Sequence, residues 1–389
     1  MDRAELRKLL AATGCAEESG GFTFLCDPKW SLTDRALASA AAQSAIRNPP
    51  SAIESGWLCI PTGGSSGGVR FARHDERTLT AAARGFCAHF GFDRVNAVGV
   101  LPAHHVSGLM ARVRCAETGG EHVAWDWKRL EAGERPRVSG NDWVLSLVPT
   151  QLQRLMALPE SLEWLRAFRV IFIGGAPIWP ELADSAARAG LPLSLSYGMT
   201  ETAAMVAALK PGEFLGGDRT SGAALPHARV AVSADGVVSV AGESVFRGYF
   251  PEERATREFV TEDLGELDAR GHLRFIGRRV AVIISGGKKI QPAEIEAFLR
   301  ATGRFADVAV LGVPDAEWGQ AVVACYLEDG RIGSESAINE EIGRELSGHK
   351  RPKRYVPVAP ADWPRNAQGK LNRAALLALV SKYHGSPDP

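Results

Sequence analysis

An aromatic ring, a hydroxyl group and a carboxylate follow one another closely in the run from Leu195 to Thr202. The ring of Tyr197 can stack on a nucleobase, and the hydroxyl of Thr200 can bond a phosphate oxygen. The carboxylate of Glu201 can hold a metal ion. We therefore expect one tight turn after an apolar strand to meet the base, the phosphates and the metal ion of a nucleotide.

A second run, Thr62 to Gly68, combines glycines with hydroxyl residues after the strand-like run Leu58–Pro61. Glycines free the backbone to point several N–H groups at one anion, and the hydroxyls add donors. The run lacks a Gly-Lys-Ser or Gly-Lys-Thr ending, so it is not the P-loop of that name, and alone it fits a flexible surface loop equally well. The strand before it and Arg70 after it favour phosphate binding. Near the other end of the chain, Lys370 follows Gly369 and offers a mobile cation for the same phosphates.

The composition is that of an ordinary soluble protein. Of 389 residues, 45% are hydrophobic and 23% are charged, and Lys plus Arg balance Asp plus Glu at 45 each. Zero net charge argues against a nucleic-acid coat and a broad membrane-binding surface. The chain begins with charged residues, and no stretch approaches the roughly 20 apolar residues that a membrane span requires. Six scattered cysteines without a CxxC pair argue against a metal site and a disulfide framework, so we expect a cytoplasmic protein.

Short apolar runs alternate with helical patterns from about residue 96 to residue 200. Val98–Leu101, Val144–Val148 and Val170–Ile173 are typical of buried strands. Such alternation predicts a parallel sheet with right-handed crossovers, on which ligands gather at the carboxyl ends of the strands. The loops expected to converge there carry His104 with His105, Pro149 with Thr150, Gly174–Pro177, and Tyr197 with Gly198.

The alternation of strand and helix patterns ends at about residue 221. An Asp-Gly dipeptide at 235–236 between two apolar runs predicts a β-hairpin and an antiparallel subdomain packed on the sheet. A glycine-rich break at 285–287, a helix and two later strands predict a smaller α+β domain. We therefore predict an α/β fold. Residues 1–277 form a large domain with parallel-type sheets and the antiparallel subdomain, and residues 278–389 form the C-terminal domain. The alanine-rich segment before Ser55 is predicted to be helical.

Several motifs occur in the same order as in the adenylate-forming (AMP-binding) acyl-CoA synthetases, which the chain resembles from about Ile53 to its end. They are Thr62–Arg70, Gly174–Pro177, Tyr197–Thr202, Asp263, Gly277 with Arg278, Gly286–Glu296 and Pro364–Lys370. Independent motifs in the right order are far more specific than any one of them. Within this family, the strings 101–109, 146–152 and 197–205 look most like those of the o-succinylbenzoate–CoA ligases of menaquinone synthesis.

The resemblance implies ATP, Mg²⁺ and the co-substrate coenzyme A as ligands. Thr200 would contact the α-phosphate, and Glu201 would ligate the magnesium ion. Tyr197, beside Gly198, would stack on adenine, while Asp263 and Arg278 would hold the ribose hydroxyls. The loop at the pyrophosphate would comprise Thr62, Gly64, Ser65, Ser66, Gly67 and Arg70. The adenine slot would be lined by Gly174, Gly175, Ala176 and Pro177. Each has a structural alternative, such as a core aromatic for the tyrosine and a solvated carboxylate for each acid.

The resemblance also implies a moving part. Lys370 would reach the substrate carboxylate and the α-phosphate, and His105 would lie at the acyl pocket and the pantetheine channel. Rotation of the C-terminal domain would then remove the lysine and bring in Gly286 and Gly287. Val280 stands at the hinge position that usually holds Asp or Lys, and this departure leaves the details of the rotation open.

The implied activity is that of an AMP-forming acid–thiol ligase. It would convert a carboxylic acid, with o-succinylbenzoate expected, to an acyl-adenylate and then to an acyl-CoA thioester. Two alternatives stay open: a ligase for another acyl or aryl acid, and a nucleotide-binding regulatory or scaffold protein without turnover. Arg70 replaces the usual lysine, and only about sixty residues precede the phosphate loop. A homo-oligomer could shield the surface that this shortening exposes, whereas no nucleic-acid or membrane partner is expected.

Overall fold

The computed structural model describes residues 1–28, 30, 55–63, 69–140, 142–286, 288–315, 317–329, 338, 340–342, 346–365 and 371–383. The helices with defined bounds are α1 (Arg3–Ala11), α2 (Glu76–Phe90), α3 (Val106–Thr118), α4 (Trp127–Glu131), α5 (Pro149–Met156), α6 (Pro159–Arg166), α7 (Pro180–Arg188), α8 (Pro211–Leu215), α9 (Pro292–Ala301) and α10 (Arg373–Tyr383). The strands are β1 (Ala16–Ser19), β2 (Phe22–Leu25), β3 (Leu58–Gly63), β4 (Val69–His74), β5 (Asn96–Gly99), β6 (His122–Ala124), β7 (Trp143–Leu147), β8 (Val170–Ile173), β9 (Leu193–Met199), β10 (Ala204–Ala208), β11 (Ala223–Ala224), β12 (Ala228–Val232), β13 (Val237–Gly242), β14 (Glu258–Leu267), β15 (Leu273–Arg278), β16 (Ile283–Ser285), β17 (Lys288–Ile290), β18 (Val308–Asp315), β19 (Gly319–Leu327) and β20 (Arg354–Val358).

A seven-stranded sheet in the order β11-β10-β9-β8-β7-β5-β6 forms the centre of the large domain. Strands β6, β5, β7, β8 and β9 run parallel, and β10 and β11 add antiparallel pairs at one side. Helices α5, α6 and α7 bury one face through Leu152, Leu165 and Leu182. Helices α2 and α3 cover the other face through Phe86 and Cys115. The carboxyl ends of β5, β7, β8 and β9 therefore lie at one edge, as parallel pairing requires.

A second sheet, in the order β1-β2-β3-β4, corrects the helical prediction for the first part of the chain. Only α1 is helical among the described residues there, with Asp2 capping its N-terminus. Gly20 and Gly21 have positive φ angles of 57° and 83° and turn the chain between β1 and β2. All four residues of β2 are buried, and Phe24 packs edge to face on Phe71. The alanine-rich residues 37–42 lie outside the described residues.

The second half of the chain contains the predicted antiparallel elements. Strands β12 and β13 form the expected hairpin, and β14 and β15 complete a four-stranded antiparallel sheet. A smaller domain follows, in which β18 and β19 pair antiparallel while β20 joins β19 in parallel. Its core packs Ile290, Leu299 and Val310 between α9 and the sheet. The predicted fold class is thus confirmed: a large α/β domain with parallel and antiparallel sheets, and a smaller C-terminal domain.

Helix α9 connects the two domains physically. Its Ala297 and Ala301 pack against the apolar cluster that includes Trp179 and Leu182 of the large domain. Gln291, just before this helix, lies beside Gly277, where an added Cβ would come within 2.2 Å of the Gln291 side-chain oxygen. Within the described ranges, no helix combines the length and the apolar character needed to cross a bilayer.

Candidate active site

The carboxyl end of β9 leads into a 3₁₀ turn, Thr200–Thr202, whose main chain is held by two distant segments. The ring Nε2 of His74 lies 2.8 Å from the carbonyl oxygen of Thr200. The N–H group of Phe246 donates to the carbonyl oxygen of Glu201 at 2.8 Å. Ala203, next along the chain, has a positive φ of 52°, so the backbone reverses sharply into β10. The turn is therefore fixed before any ligand arrives.

Gly198 allows this reversal. A Cβ atom built on it would lie 2.0 Å from the carbonyl oxygen of Ala204 on the paired strand β10, which no side chain tolerates. The predicted turn begins later than expected, because Tyr197 and Gly198 belong to β9 and pair with β10. The antiparallel partner extends β9 beyond the apolar run that the sequence reveals.

His74 is a residue that the sequence analysis missed. It is completely buried at the end of β4, and burial lowers its pKa to about 4. The neutral ring donates from Nε2 to Thr200, and its Nδ1 lies 3.0 Å from the hydroxyl of Thr78. Its sequence signal is weak, namely a histidine directly before Asp75, the residue that caps α2.

The carboxylate of Glu201 is buried, with 6% of the residue exposed. The Tyr249 hydroxyl donates to its Oε1 at 2.6 Å, and the Thr62 hydroxyl lies 3.5 Å from the same oxygen. Burial, and then the charge of Glu201, raise the pKa of Tyr249, so the phenol stays protonated and donates. Within the described part of the chain, Glu201 has no ion-pair partner, and Oε2 receives no hydrogen bond.

This donor set fits a magnesium ion that is bound mainly through nucleotide phosphates. Such an ion takes one or two protein carboxylates and keeps phosphate oxygens and waters as its other ligands. Among the residues that the structure describes, no three His, Cys, Asp or Glu side chains form a metal cage. Oε2 of Glu201, to which no described residue donates a hydrogen bond, is a hard oxygen ligand of the required kind.

The phosphate-loop prediction can be followed only at its ends. Gly64, Ser65, Ser66 and Gly67 lie outside the described residues. Thr62 belongs to β3 and Arg70 to β4, which pair antiparallel in the register Thr62 to Arg70. The guanidinium of Arg70 lies 4.2 Å from the centre of the Tyr249 ring. The two ends of the predicted loop therefore lie beside Glu201: Thr62 is near its carboxylate, and Arg70 contacts Tyr249, which donates to that carboxylate.

A second carboxylate is held by a different pair of residues. The hydroxyl of Tyr197 donates to Oδ2 of Asp263 at 2.9 Å, and Nε of Arg278 donates to Oδ1 at 2.9 Å. Tyr197 is 6% exposed, and burial, followed by the charge of Asp263, raises the pKa of its phenol. Its ring lies nearly parallel to that of Phe275 at 6.3 Å. The structure thus joins all three predicted base and ribose residues, while the stacking of Tyr197 on a base stays a prediction.

The predicted adenine slot follows β8. Gly175, Ala176 and Pro177 are exposed, and Gly174 donates its N–H to the carbonyl oxygen of Leu147 at 3.2 Å. Gly175 has a positive φ of 80°, which favours glycine at this bend. The segment presents backbone and small side chains at the same edge as the Thr200–Thr202 turn.

The two histidines after β5 have different surroundings. Their rings are 4.3 Å apart. His104 is buried, with Nε2 3.5 Å from Oδ2 of Asp27, and burial lowers its pKa although Asp27 acts in the opposite direction. His105 caps α3 with its backbone at the same edge and is only partly buried. His105 is therefore the better placed of the two to meet a ligand.

The C-terminal motifs are only partly described. Lys370 and Gly287 lie outside the described residues. Arg365 and Leu371, on either side of the lysine segment, form an antiparallel bridge. Gly286 has a positive φ of 54° and donates its N–H to the carbonyl oxygen of Trp318 at 2.9 Å.

Comparison with known families defines the class of this protein. The model of the AMP-binding enzyme family matches residues 4–250, and that of the AMP-binding enzyme C-terminal domain matches residues 294–370. The chain belongs to the AMP-binding enzyme family, and the resemblance inferred from its motifs is confirmed.

Its relatives define a narrower group. The 2-succinylbenzoate–CoA ligase of Enterococcus faecalis (strain ATCC 700802 / V583) is 30% identical over 338 residues, which cover 83% of this chain and 69% of that protein. The corresponding ligase of Geobacillus kaustophilus (strain HTA426) is 31% identical over 308 residues, or 73% of this chain and 61% of that protein. The chain thus spans between three fifths and seven tenths of the length of these two relatives.

Solved structures that resemble this chain include enzymes of the same group. The o-succinylbenzoate CoA synthetase from Bacillus subtilis, in complex with the acyl-adenylate intermediate, superimposes with a TM-score of 0.73 at 26% identity. The superposition covers 84% of this chain and 69% of that one. The same enzyme in complex with ATP and a magnesium ion gives a TM-score of 0.70 at 25% identity, covering 83% and 70%.

Proposed function

We propose that this chain is an ATP- and magnesium-dependent acid–thiol ligase that converts o-succinylbenzoate to o-succinylbenzoyl-CoA, a reaction of menaquinone biosynthesis. One observation carries the proposal. The Thr62 hydroxyl at the start of the phosphate loop lies 3.5 Å from the Glu201 carboxylate. The groups proposed for pyrophosphate and for magnesium therefore share one site. The 2-succinylbenzoate–CoA ligases among its relatives support this choice of acid.

The chemistry proceeds in two displacements. A carboxylate oxygen attacks the α-phosphorus of ATP, the bond to the bridging oxygen breaks, and pyrophosphate leaves. The CoA thiol then loses its proton and attacks the acyl carbonyl, and AMP leaves with the electron pair. Magnesium at this site would neutralise the charge that crowds the phosphates.

The site residues that the structure describes have proposed roles in the first displacement. Thr200 bonds the α-phosphate, and Glu201 supplies its oxygen to the magnesium ion. Asp263, already held by Tyr197 and Arg278, accepts hydrogen bonds from the ribose hydroxyls. Because these groups are fixed in advance, their main contribution is to position the reactants.

The remaining assignments rest on the family. Lys370 is proposed to neutralise the attacking carboxylate, and His105 to border the acyl pocket and the pantetheine channel. Gly286 and Gly287 are proposed to replace the lysine when the C-terminal domain rotates. We place the boundary between the domains at residues 277 and 278, directly before the 3₁₀ turn that contains Val280. The six free thiols support a reducing cytoplasm as the location.

A pyrophosphate-release assay with a panel of aryl and acyl acids, with and without CoA, tests the function. We expect release with o-succinylbenzoate and ATP, and thioester formation only when CoA is added. Release with a different acid alone would keep the mechanism but change the substrate. Tight ATP binding without pyrophosphate release for any acid would favour the nucleotide-binding regulatory or scaffold protein. Sedimentation of the same sample tests whether the chain forms a homo-oligomer.

A further inference from the structure

The side chain of Tyr249 lies between two residues that the family assignment treats separately. Its hydroxyl donates to Oε1 of Glu201 at 2.6 Å. On the other side, the guanidinium of Arg70 stacks 4.2 Å from the centre of its ring, and Nη2 lies 3.5 Å from its oxygen. A chain of contacts thus runs from the residue after the phosphate loop, through one phenol, to the carboxylate proposed for magnesium.

The backbone fixes Tyr249 in this place. Ala72 of β4 forms an antiparallel bridge with Tyr249. On either side, Phe250 donates its N–H to Phe71 at 2.8 Å, and Arg73 donates its N–H to Gly248 at 2.9 Å. The same segment continues back to Phe246, whose N–H holds the main chain of Glu201. Both the main chain and the carboxylate of Glu201 are thus set by one stretch of five residues, 246–250.

We propose that Tyr249 is a positioning residue that turns the Glu201 carboxylate toward the magnesium ion of ATP, and that Arg70 acts on this carboxylate through the phenol. The inference rests on the proposed function. Oε1 is held by the phenol and by Thr62, and no described residue donates to Oε2, which is the oxygen proposed to bind the ion. A hydrogen bond to a charged group strengthens in a buried site, and donation from Arg70 polarises the phenol further.

This arrangement gives a reason for arginine at position 70. A lysine has a compact ammonium group on a flexible stem, whereas a guanidinium is planar and can stack on a ring while it donates sideways. Arg70 makes both contacts with Tyr249. Arg70, in place of the lysine that is usual in the family, therefore helps to orient Tyr249. We expect the side chain of Tyr249 to be less well oriented when Arg70 is changed.

The test measures metal binding directly. Mn²⁺ is titrated into the complex of the full chain with ATP, and free Mn²⁺ is followed by electron paramagnetic resonance. Tyr249→Phe keeps the ring and removes the hydroxyl, and we expect it to weaken Mn²⁺ binding roughly tenfold, the scale of one hydrogen bond to a charged group. Binding of metal-free ATP, measured by calorimetry in EDTA, should stay within about twofold of the unchanged chain, as this hydrogen bond touches no nucleotide atom.

Three comparisons make the result decisive. Arg70→Lys should weaken Mn²⁺ binding less than Tyr249→Phe does, and should add little to it in the double variant. Tyr355→Phe makes the same change in the core of the C-terminal domain and should leave metal binding unchanged. In a Glu201→Gln background, Tyr249→Phe should have no further effect. Equal Mn²⁺ affinity in Tyr249→Phe and the unchanged chain would overturn the inference, and so would an equal loss of metal-free ATP binding. Since no acid is present, the outcome is separate from the choice of substrate.

Discussion

The hydroxyl of Tyr197 lies 2.9 Å from Oδ2 of Asp263, although the two residues are 66 positions apart in the chain. The contact joins β9 of the parallel sheet to β14 of the antiparallel sheet. Arg278 holds the other oxygen of Asp263, so the carboxylate has a fixed orientation from both sides. The proposed ribose site is therefore a unit of three residues from two sheets.

Two neighbouring arginines test this unit. Arg278 pairs with Asp263, whereas Arg279 pairs with the exposed Glu262. We expect Arg278→Ala to weaken ATP binding about tenfold, since the buried carboxylate loses its charged partner and its orientation. Arg279→Ala, with a similarly exposed side chain, should change the affinity by less than about twofold. Calorimetric titration of ATP measures both, and equal effects would contradict the assignment of Arg278.

A buried ion pair joins the two segments that hold the Thr200–Thr202 turn. Asp75, which is 1% exposed, accepts from Nε of Arg247 at 2.8 Å. Although burial acts to raise the pKa of Asp75, the hydrogen bonds from Arg247 and Thr78 lower it overall. Arg247→Ala should reduce the free energy of unfolding by about 3 kcal/mol, because a carboxylate is left buried without its partner.

The matched control for this change is Arg257→Ala. Arg257 pairs with Glu243 at 4.0 Å, and both side chains are more than half exposed. An exposed pair contributes at most about 1 kcal/mol. Urea unfolding followed by tryptophan fluorescence compares the two variants. Similar losses would show that Arg247 acts only as a surface residue.

His74 predicts a pH dependence of stability. Its pKa is about 4 in the folded chain because it is buried, against 6.5 for a free histidine. Below pH 6.5 the unfolded chain takes up a proton that the folded chain refuses, so stability falls as the pH falls toward 4. The contribution of this one group amounts to about 3 kcal/mol over that window. This contribution of neutral His74 to the free energy of unfolding is fully present above pH 6.5 and is lost as the pH falls toward 4.

His74→Gln, which can still donate to Thr200, tests this prediction. The variant should show a shallower decline of unfolding free energy between pH 6.5 and 4, by about one proton. Part of the decline should persist, because burial also lowers the pKa of His122 and His227 to about 4. His349→Gln serves as a control in the C-terminal domain. An unchanged slope in His74→Gln would mean that this ring becomes protonated without unfolding.

Lys370→Ala separates the two half-reactions. Removing the ammonium group should abolish pyrophosphate release from ATP and acid, because the attacking carboxylate and the α-phosphate are no longer neutralised. Thioester formation from a supplied acyl-adenylate and CoA should largely survive, since the proposed rotation removes this lysine before the second step. Lys8→Ala is a suitable control, because this exposed lysine lies in the last turn of α1. Equal loss of both half-reactions would contradict the assigned role.

The alternation of strands and helices predicted the central sheet well, because strands buried on both faces leave continuous apolar runs. Glu201 and Asp263 could be predicted as site residues from their motifs, because these motifs lie in short contiguous strings. His74 and Tyr249 were not found, since they reach the turn from 126 and 48 residues away and no periodicity marks such contacts. Strand β2 was missed for a related reason. Its four buried residues show no alternation, and the alanine-rich stretch that follows dominates the local pattern.

Helix α9 touches the large domain through the methyl groups of Ala297 and Ala301. Burial of these methyl groups contributes on the order of 1 kcal/mol each, so the proposed rotation of the small domain would break few attractive contacts here. A bulky side chain introduced at Ala297 would push α9 away from the apolar cluster of the large domain. The substitution would thereby shift the proposed rotation of the small domain and, with it, the balance between the two proposed half-reactions.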